Sequence, residues 1–180
     1  MLTRMPWVVA LLALDLWSKS AVFAYIDAHP EALTFDPHFH RRWEIISPWF
    51  SFMQSWNPGM AWGMEFLPTW LLVGGRIVAS VFLLWLVAKT PRTKPWLSAS
   101  FVLIAAGAMG NLYDNLFMPR VDGRPFGMVR DFIDVYFTGF DWHFHTFNVA
   151  DSCISVGAVI LFATGLFGKD DKPENPPAGA

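Results

Sequence analysis

The sequence holds a single cysteine, Cys153, so no disulfide can form within the chain and cysteine usage says nothing about the redox compartment. Beside Asp151 this cysteine reads as a small packed residue. Charge is scarce: 16% of the 180 residues are charged against 54% hydrophobic, too little polar surface for an ordinary soluble domain. The net charge of -2 leaves no basic footprint, which argues against a nucleic-acid partner. No internal repeat is visible, and four spans without one leave little room for a carrier that works by alternating access. Abundant instead are aromatic rings. Ten Trp and seventeen Phe suit a chain with wide membrane–water boundaries, where such rings settle.

Four apolar runs, residues 5–26, 69–88, 96–116 and 147–167, have about the length that crosses about 30 Å of hydrocarbon as a helix. The first run also imitates a signal peptide, with Val22-Phe23-Ala24 resembling a cleavage site, but Asp15 and Lys19 interrupt the part that a signal peptide keeps apolar. Four apart, those two share a helix face and can pair, which lowers the cost of holding both near lipid. They either anchor the helix at the interface or serve near a site. In the second run Gly74-Gly75 permits close helix packing, and Arg76 either snorkels or meets an acid. The third ends in Asn111 and Asp114, three apart on one face. In the fourth, Asn148, Asp151 and Ser155 form a polar stripe that should face other helices.

Residues 27–68 are too polar to span and too aromatic to be disordered; short strands on the membrane surface are expected, with turns at Pro48 and at Asn57-Pro58-Gly59. Residues 118–146 read as a polar connection carrying Asp131. The tail, residues 169–180, reads as disordered and cytoplasmic. Residues 1–168 then form one membrane-embedded domain. Arg4, Lys89, Arg92, Lys94, Lys169 and Lys172 crowd the termini and one short loop, so the positive-inside rule puts both termini in the cytoplasm and segments 27–68 and 118–146 outside.

On that topology Asp15, Lys19, Asn111, Asp114, Asn148, Asp151 and Asp131 all gather at the outer side. A carboxylate at membrane depth costs at least a few kcal/mol and marks function by default. Two buried carboxylates close together share a proton: the charged one draws a proton from water while the neutral one protonates a carbonyl oxygen. That is the aspartyl route to peptide hydrolysis, which needs no cofactor and no metal. A plainer reading has Asp131 and Asp134 capping turns and Asp151, at the third position of helix 4, complementing its dipole. His143 and His145 with Asp141 offer metal ligands, but H-x-H lacks the helical H-E-x-x-H spacing.

These residues resemble the lipoprotein signal peptidases (type II signal peptidases) of bacteria. Five motifs occur in order along nearly the whole chain: D-x-x-x-K (Asp15, Lys19), N-x-G-x-x-x-G (Asn57, Gly59, Gly63), G-N-x-x-D (Gly110, Asn111, Asp114), V-x-D-F-I-D (Val129 to Asp134) and F-N-x-A-D (Phe147 to Asp151). The resemblance implies an all-α polytopic membrane protein, four transmembrane helices with a small extracytoplasmic β-sheet cradle from residues 27–68. It implies an intramembrane aspartyl endopeptidase of the inner membrane that removes the signal peptide from diacylglyceryl-modified prolipoproteins, cutting before the lipobox cysteine. Asp131 and Asp151 would be the catalytic pair; Asn57, Gly59, Asn111, Asp114, Asn148 and Ala150 would line or brace the site. Membrane lipids and globomycin-type inhibitors are implied partners, and we expect a monomer. The alternative is a non-catalytic relative that binds lipidated or signal peptides.

The family usually reads G-N-x-x-D-R, whereas Asn115 follows Asp114 here. Asn cannot reproduce an arginine's charge and rigid fork of donors, and Arg120 or Arg124 is expected to reach back and fill the role. Trp62 stands where the family often has Phe. The cation Arg130 is expected to lower the pKa of the neighbourhood of Asp131. Spacing alone leaves Asp134 open as the second acid.

Overall fold

The computed structural model describes residues 3–35, 41–58, 68–119 and 126–167. Gly59, Trp62, Gly63, Arg120, Arg124 and the 169–180 tail therefore lie outside the described residues. The four apolar runs fold as helices long and apolar enough to cross a membrane: α1 (Met5–Ala28), α2 (Thr69–Lys89), α3 (Pro95–Phe117) and α4 (Val149–Phe167). Pro6 and Pro95 sit in the first turns of α1 and α3, where an N–H would have had no helical partner. At the other end of α2 the Thr90 hydroxyl donates to Leu86 O at 2.6 Å. Arg4 also closes that end, donating to Val87 O at 3.1 Å and Pro91 O at 3.0 Å. The start of α1 is thus tied to the finish of α2 through carbonyls that a helix end leaves without partners.

α3 is the central helix, packed against α1, α2 and α4. Its small residues decide how near the others come. A Cβ on Gly107 would collide with the backbone oxygen of Ala150, and one on Gly110 with the Asp15 carboxylate, so α1 and the first turn of α4 are drawn onto the same stretch of α3. Val8, Val87, Val102, Ala105 and Ala106 form the core at one end. Outward faces are apolar as well: Trp17 is 68% and Phe162 69% exposed, a surface suited to lipid.

The other end carries a five-stranded antiparallel sheet in sequential order: β1 (Thr34–Phe35), β2 (Arg41–Ile46), β3 (Phe50–Asn57), β4 (Val129–Phe137) and β5 (Trp142–His143). Segment 118–146, expected as a loop, therefore supplies two strands, and β4 lies beside β3, the last strand of the earlier segment. Asp131 and Asp134 do not cap turns; both are within β4. Phe132 of β4 packs on Val22, Phe23 and Ile26 of α1, seating the sheet on the bundle. Burying side chains of this size is worth about 1.5–3 kcal/mol each. Gln54 adds polar ties, donating to Phe23 O at 3.1 Å and to Asp27 at 2.9 Å.

Helix α4 begins two residues later than the apolar run implied. Phe147 instead pairs with Ile133 across a β-bridge, its backbone giving and taking bonds with β4. Asn148 is left as the residue that enters the helix.

Candidate active site

Asn148 and Asp151 form the reciprocal arrangement of a capping box. Asp151 N–H donates to Asn148 Oδ1 at 2.9 Å, and Asn148 N–H donates to Asp151 Oδ2 at 3.2 Å. The dipole-complementing position of Asp151 is thus real, yet the same carboxylate also accepts from Asn111 Nδ2 at 2.8 Å. Asn148 reaches in the other direction too, its Nδ2 lying 2.6 Å from Asp131 Oδ1. Asn57, at the end of β3, donates to the second oxygen of Asp131 at 2.9 Å. Each aspartate is therefore held by two donors, and Asn148 serves both.

Asp131 is 1% exposed. Burial, and after it the negative charge of Asp151, pushes its pKa from 3.8 up to about 7, against the opposing hydrogen bonds of Asn57 and Asn148 and the charge of Lys19. Arg130 does not act as expected from its place in sequence. Neighbours on a strand point to opposite faces, and its guanidinium turns to Asp114, with Nη2 to Oδ1 at 2.8 Å and Nε to Oδ1 at 3.2 Å, and to Ser20 at 3.1 Å. The cation that lowers the pKa of Asp131 is Lys19.

Lys19 is fully buried, 2.8 Å from Asp15 and 3.2 Å from Asp114, and it donates to Asn111 Oδ1 at 3.1 Å. Asp15 in turn accepts the Ala150 N–H at 2.8 Å. Asp15, Lys19 and Asp114 thus brace the asparagine that holds Asp151, rather than merely anchoring α1. Ala150 is 0% exposed and packed where a larger side chain would push α4 away.

A cavity of about 610 Å³ is walled by Asn57, Arg76, Asn111, Asp131, Asp151 and Ser155, with Phe144 to Phe147 along one side. Asp134, three residues after Asp131, is on the opposite face of β4 and does not line it. Asp134 bonds Ser51 Oγ at 2.8 Å and Arg42 Nη2 at 2.9 Å. His143 and His145 part company: His143 stacks on Tyr136 at 4.4 Å and lies 3.4 Å from Asp134, while His145 lines the cavity. Among the described residues no cluster of three or more His, Cys, Asp or Glu is placed to hold a metal ion.

The sequence is compatible with Arg76 either snorkelling or meeting an acid. Arg76 lines the cavity and donates to Asn115 Oδ1, whose own Nδ2 donates to Gly127 O at 2.8 Å. The signal available in the sequence is a guanidinium inside an apolar run. Gly59 and Arg120 lie outside the described residues.

The sequence matches the model of the signal peptidase (SPase) II family over residues 7–167. A lipoprotein signal peptidase of Psychromonas ingrahamii is 33% identical over 183 residues, covering 98% of this chain and 92% of that protein. One from Alteromonas mediterranea is 31% identical over 178 residues, covering 95% of this chain and 85% of that protein. A solved bacterial membrane enzyme shares the fold, with a TM-score of 0.69 at 23% identity over 97% of this chain and 94% of its own. With the family model spanning both aspartates and relatives above 30% identity running almost end to end, the chain belongs to the signal peptidase II family.

Proposed function

We propose that this chain is an intramembrane aspartyl endopeptidase that removes the signal peptide from diacylglyceryl-modified prolipoproteins, cutting before the lipobox cysteine. The observation that carries the reading is the meeting of Asp131 and Asp151 on one cavity wall, bonded through the single side chain of Asn148. Two acids that close, one buried in the sheet and one at a helix start, do not both ionise easily and can share a proton. The ionised member takes a proton from water, whose oxygen adds to the scissile carbonyl carbon. The protonated member gives its proton to the carbonyl oxygen. Collapse of the tetrahedral diol breaks the C–N bond: the leaving nitrogen takes the proton from the acid, one diol hydroxyl gives its proton to the other carboxylate as the carbonyl re-forms, and the pair again holds one proton.

A signal peptide helix must be partly unwound to offer its scissile carbonyl, and unsatisfied backbone is tolerated at membrane depth only inside protein or a wet cavity. The asparagines and the sheet provide such bonds. Residues 1–168 act as one domain in the bacterial inner membrane, as a monomer. The cation distribution supports cytoplasmic termini and a site at the outer leaflet. Globomycin-type peptides bind the same cavity.

The test is cleavage of a diacylglyceryl-cysteine lipobox peptide by purified protein in detergent, comparing wild type with Asp131→Asn and Asp151→Asn. Wild-type cleavage, lost in both folded variants, supports the dyad. No wild-type cleavage on several lipobox sequences, or variants as active as wild type, favours a non-catalytic protein that binds lipidated or signal peptides.

A further inference from the structure

The end of the bundle away from the sheet carries cations and no acid. Arg4, Lys89, Arg92 and Lys94 lie there, whereas residues 3–14 and 84–103, which meet at this end, hold no aspartate or glutamate. Arg4 is committed to backbone, its guanidinium donating to Val87 O at 3.1 Å, to Thr90 O at 2.5 Å and to Pro91 O at 3.0 Å. It gives this corner charge rather than donors. Arg92 sits in the turn before α3 that the Lys94 N–H closes onto Pro91 O at 3.3 Å. Its side chain is exposed, and no hydrogen bond or ion pair among the described residues uses it.

A cavity of about 620 Å³ opens between α1 and α3 at the same corner, within the range of about 300–1,000 Å³ of pockets that hold small ligands. Its lining is graded. Thr3, Arg4 and Arg92 stand at the mouth, and Leu11, Val102 and Leu103 lie deeper. Arg4, Trp7 and Leu11 follow the i, i+3, i+7 spacing of one face of α1, as Pro95, Ser98 and Val102 do on α3, so two stripes run side by side into the membrane for about 10 Å. Ser98 on this wall is 7% exposed, and its hydroxyl has no partner among the described residues. Ser100, by contrast, returns its hydroxyl to Leu97 O at 2.8 Å. A buried hydroxyl normally finds a bond, so one left open on a groove wall points to an acceptor that enters the groove. α3 also begins here without a capping side chain, which adds the positive end of its dipole to the same corner.

An occupant that suits this lining has a negative, acceptor-rich group at the mouth and hydrocarbon behind it. A phospholipid has both, in that order, and the cations place the mouth at the depth of its phosphate. Trp7, 67% exposed on the rim, has the apolar ring and N–H that settle at the boundary between headgroup and acyl chain. A zwitterionic headgroup would bring its own cation toward Arg92 and Arg4, so an anionic one fits better. The chain's own tail, with Asp170, Asp171 and Glu174, is a rival anion but brings no hydrocarbon to lay along Leu11 and Leu103.

We propose that the groove between α1 and α3 binds one anionic phospholipid, its phosphate taken by Arg92 and the Ser98 hydroxyl and one acyl chain laid along Leu11, Val102 and Leu103. The lipid belongs to the leaflet that meets this end of the bundle, opposite the end where Asp131 and Asp151 lie. The inference goes beyond the peptidase reading and does not depend on it.

The experiment is native mass spectrometry of the full chain in detergent, titrated with phosphatidylglycerol or with phosphatidylcholine of the same chain length. Wild type should retain one phosphatidylglycerol at least about tenfold more tightly than phosphatidylcholine. Arg92→Gln should weaken phosphatidylglycerol binding about tenfold, the loss of a charge-assisted bond, and Ser98→Ala about fivefold. Lys89→Gln removes an equal charge at the same end, from a residue that does not line the groove, and should change affinity by about twofold or less. Ala99→Phe fills the groove and should abolish tight binding of the lipid. Equal affinity for the two lipids, or Lys89→Gln as damaging as Arg92→Gln, overturns the proposal, since either shows a diffuse effect of charge. Displacement of the lipid by an equal concentration of glycerol phosphate overturns it too, because the site then takes a soluble phosphate. If lipid binds tightly only after residues 169–180 are removed, the tail is the occupant and the proposal falls. Where Ser98→Ala or Ala99→Phe does not fold, Arg92→Gln, in an exposed turn, decides. The readout is lipid retention rather than cleavage, so failure of the peptidase reading leaves this result standing.

Discussion

Asn148 and Asp151 bond each other twice, backbone N–H to side-chain oxygen in both directions, at 2.9 and 3.2 Å. The amide that makes this cap also donates to Asp131 at 2.6 Å. One side chain therefore starts a helix and spaces two acids, and the two roles can be separated.

Asn148→Ser keeps an oxygen that accepts the Asp151 N–H but loses the donor to Asp131. Its melting temperature should stay near wild type while cleavage falls at least tenfold. Asn148→Ala loses both and should also lose about 1 kcal/mol of stability. Thermal melts beside cleavage rates check this; equal activity in Asn148→Ser and wild type would contradict it.

Asp131 titrates at about 7 in the folded chain against an ordinary 3.8. Folding favours its neutral form, so its contribution to stability is present in full below about pH 4 and is lost as the pH rises through about 7. Asp131→Asn stays neutral throughout. Its melting temperature should exceed that of wild type by a margin that grows over that window and then levels, and wild-type kcat/KM should decline above about pH 7 as the shared proton leaves. Parallel melting curves at all pH values would refute the assignment.

Lys19→Met leaves Asp15 and Asp114 buried without the cation between them. A broken buried pair costs about 3–5 kcal/mol, so the variant should melt far below wild type. Where it survives in lipid, its pH–rate profile should shift upward, because Lys19 is the cation holding down the pKa of Asp131. A profile that stays in place would show the lysine acting on folding alone.

Gly110→Ala puts a methyl group against the Asp15 carboxylate and 3.2 Å from the Ala150 Cβ, whereas Gly74→Ala meets nothing within 4 Å. The first should cost about 1–3 kcal/mol and displace the start of α4. The second should be neutral or gain up to about 1 kcal/mol, as glycine weakens a helix interior. Melting temperatures of the pair, with cleavage by each, distinguish a crowded site from general sensitivity of the helices.

The helices were legible because length and apolarity suffice to specify them, and the Asn148-to-Asp151 spacing was legible because a cap is local. β4 was not. Its first six residues, Val129–Asp134, are buried except for Ile133, so the alternation that betrays a half-exposed strand is missing. With the strand unseen, Asp131 and Asp134 could not be assigned to opposite faces, and Arg130 was credited to its neighbour in sequence rather than to Asp114 on α3. The partnership of Arg76 with Asn115 spans 39 residues and two helices, and no local pattern reports such a contact.

The hydrogen bond from Ala150 to Asp15 joins residues 135 positions apart. During synthesis the first of them enters the membrane well before the second. Until α4 arrives, Asp131 lacks both the amide of Asn148 and the neighbouring carboxylate of Asp151. Insertion of α4 is thus the step that brings the two carboxylates onto one cavity wall.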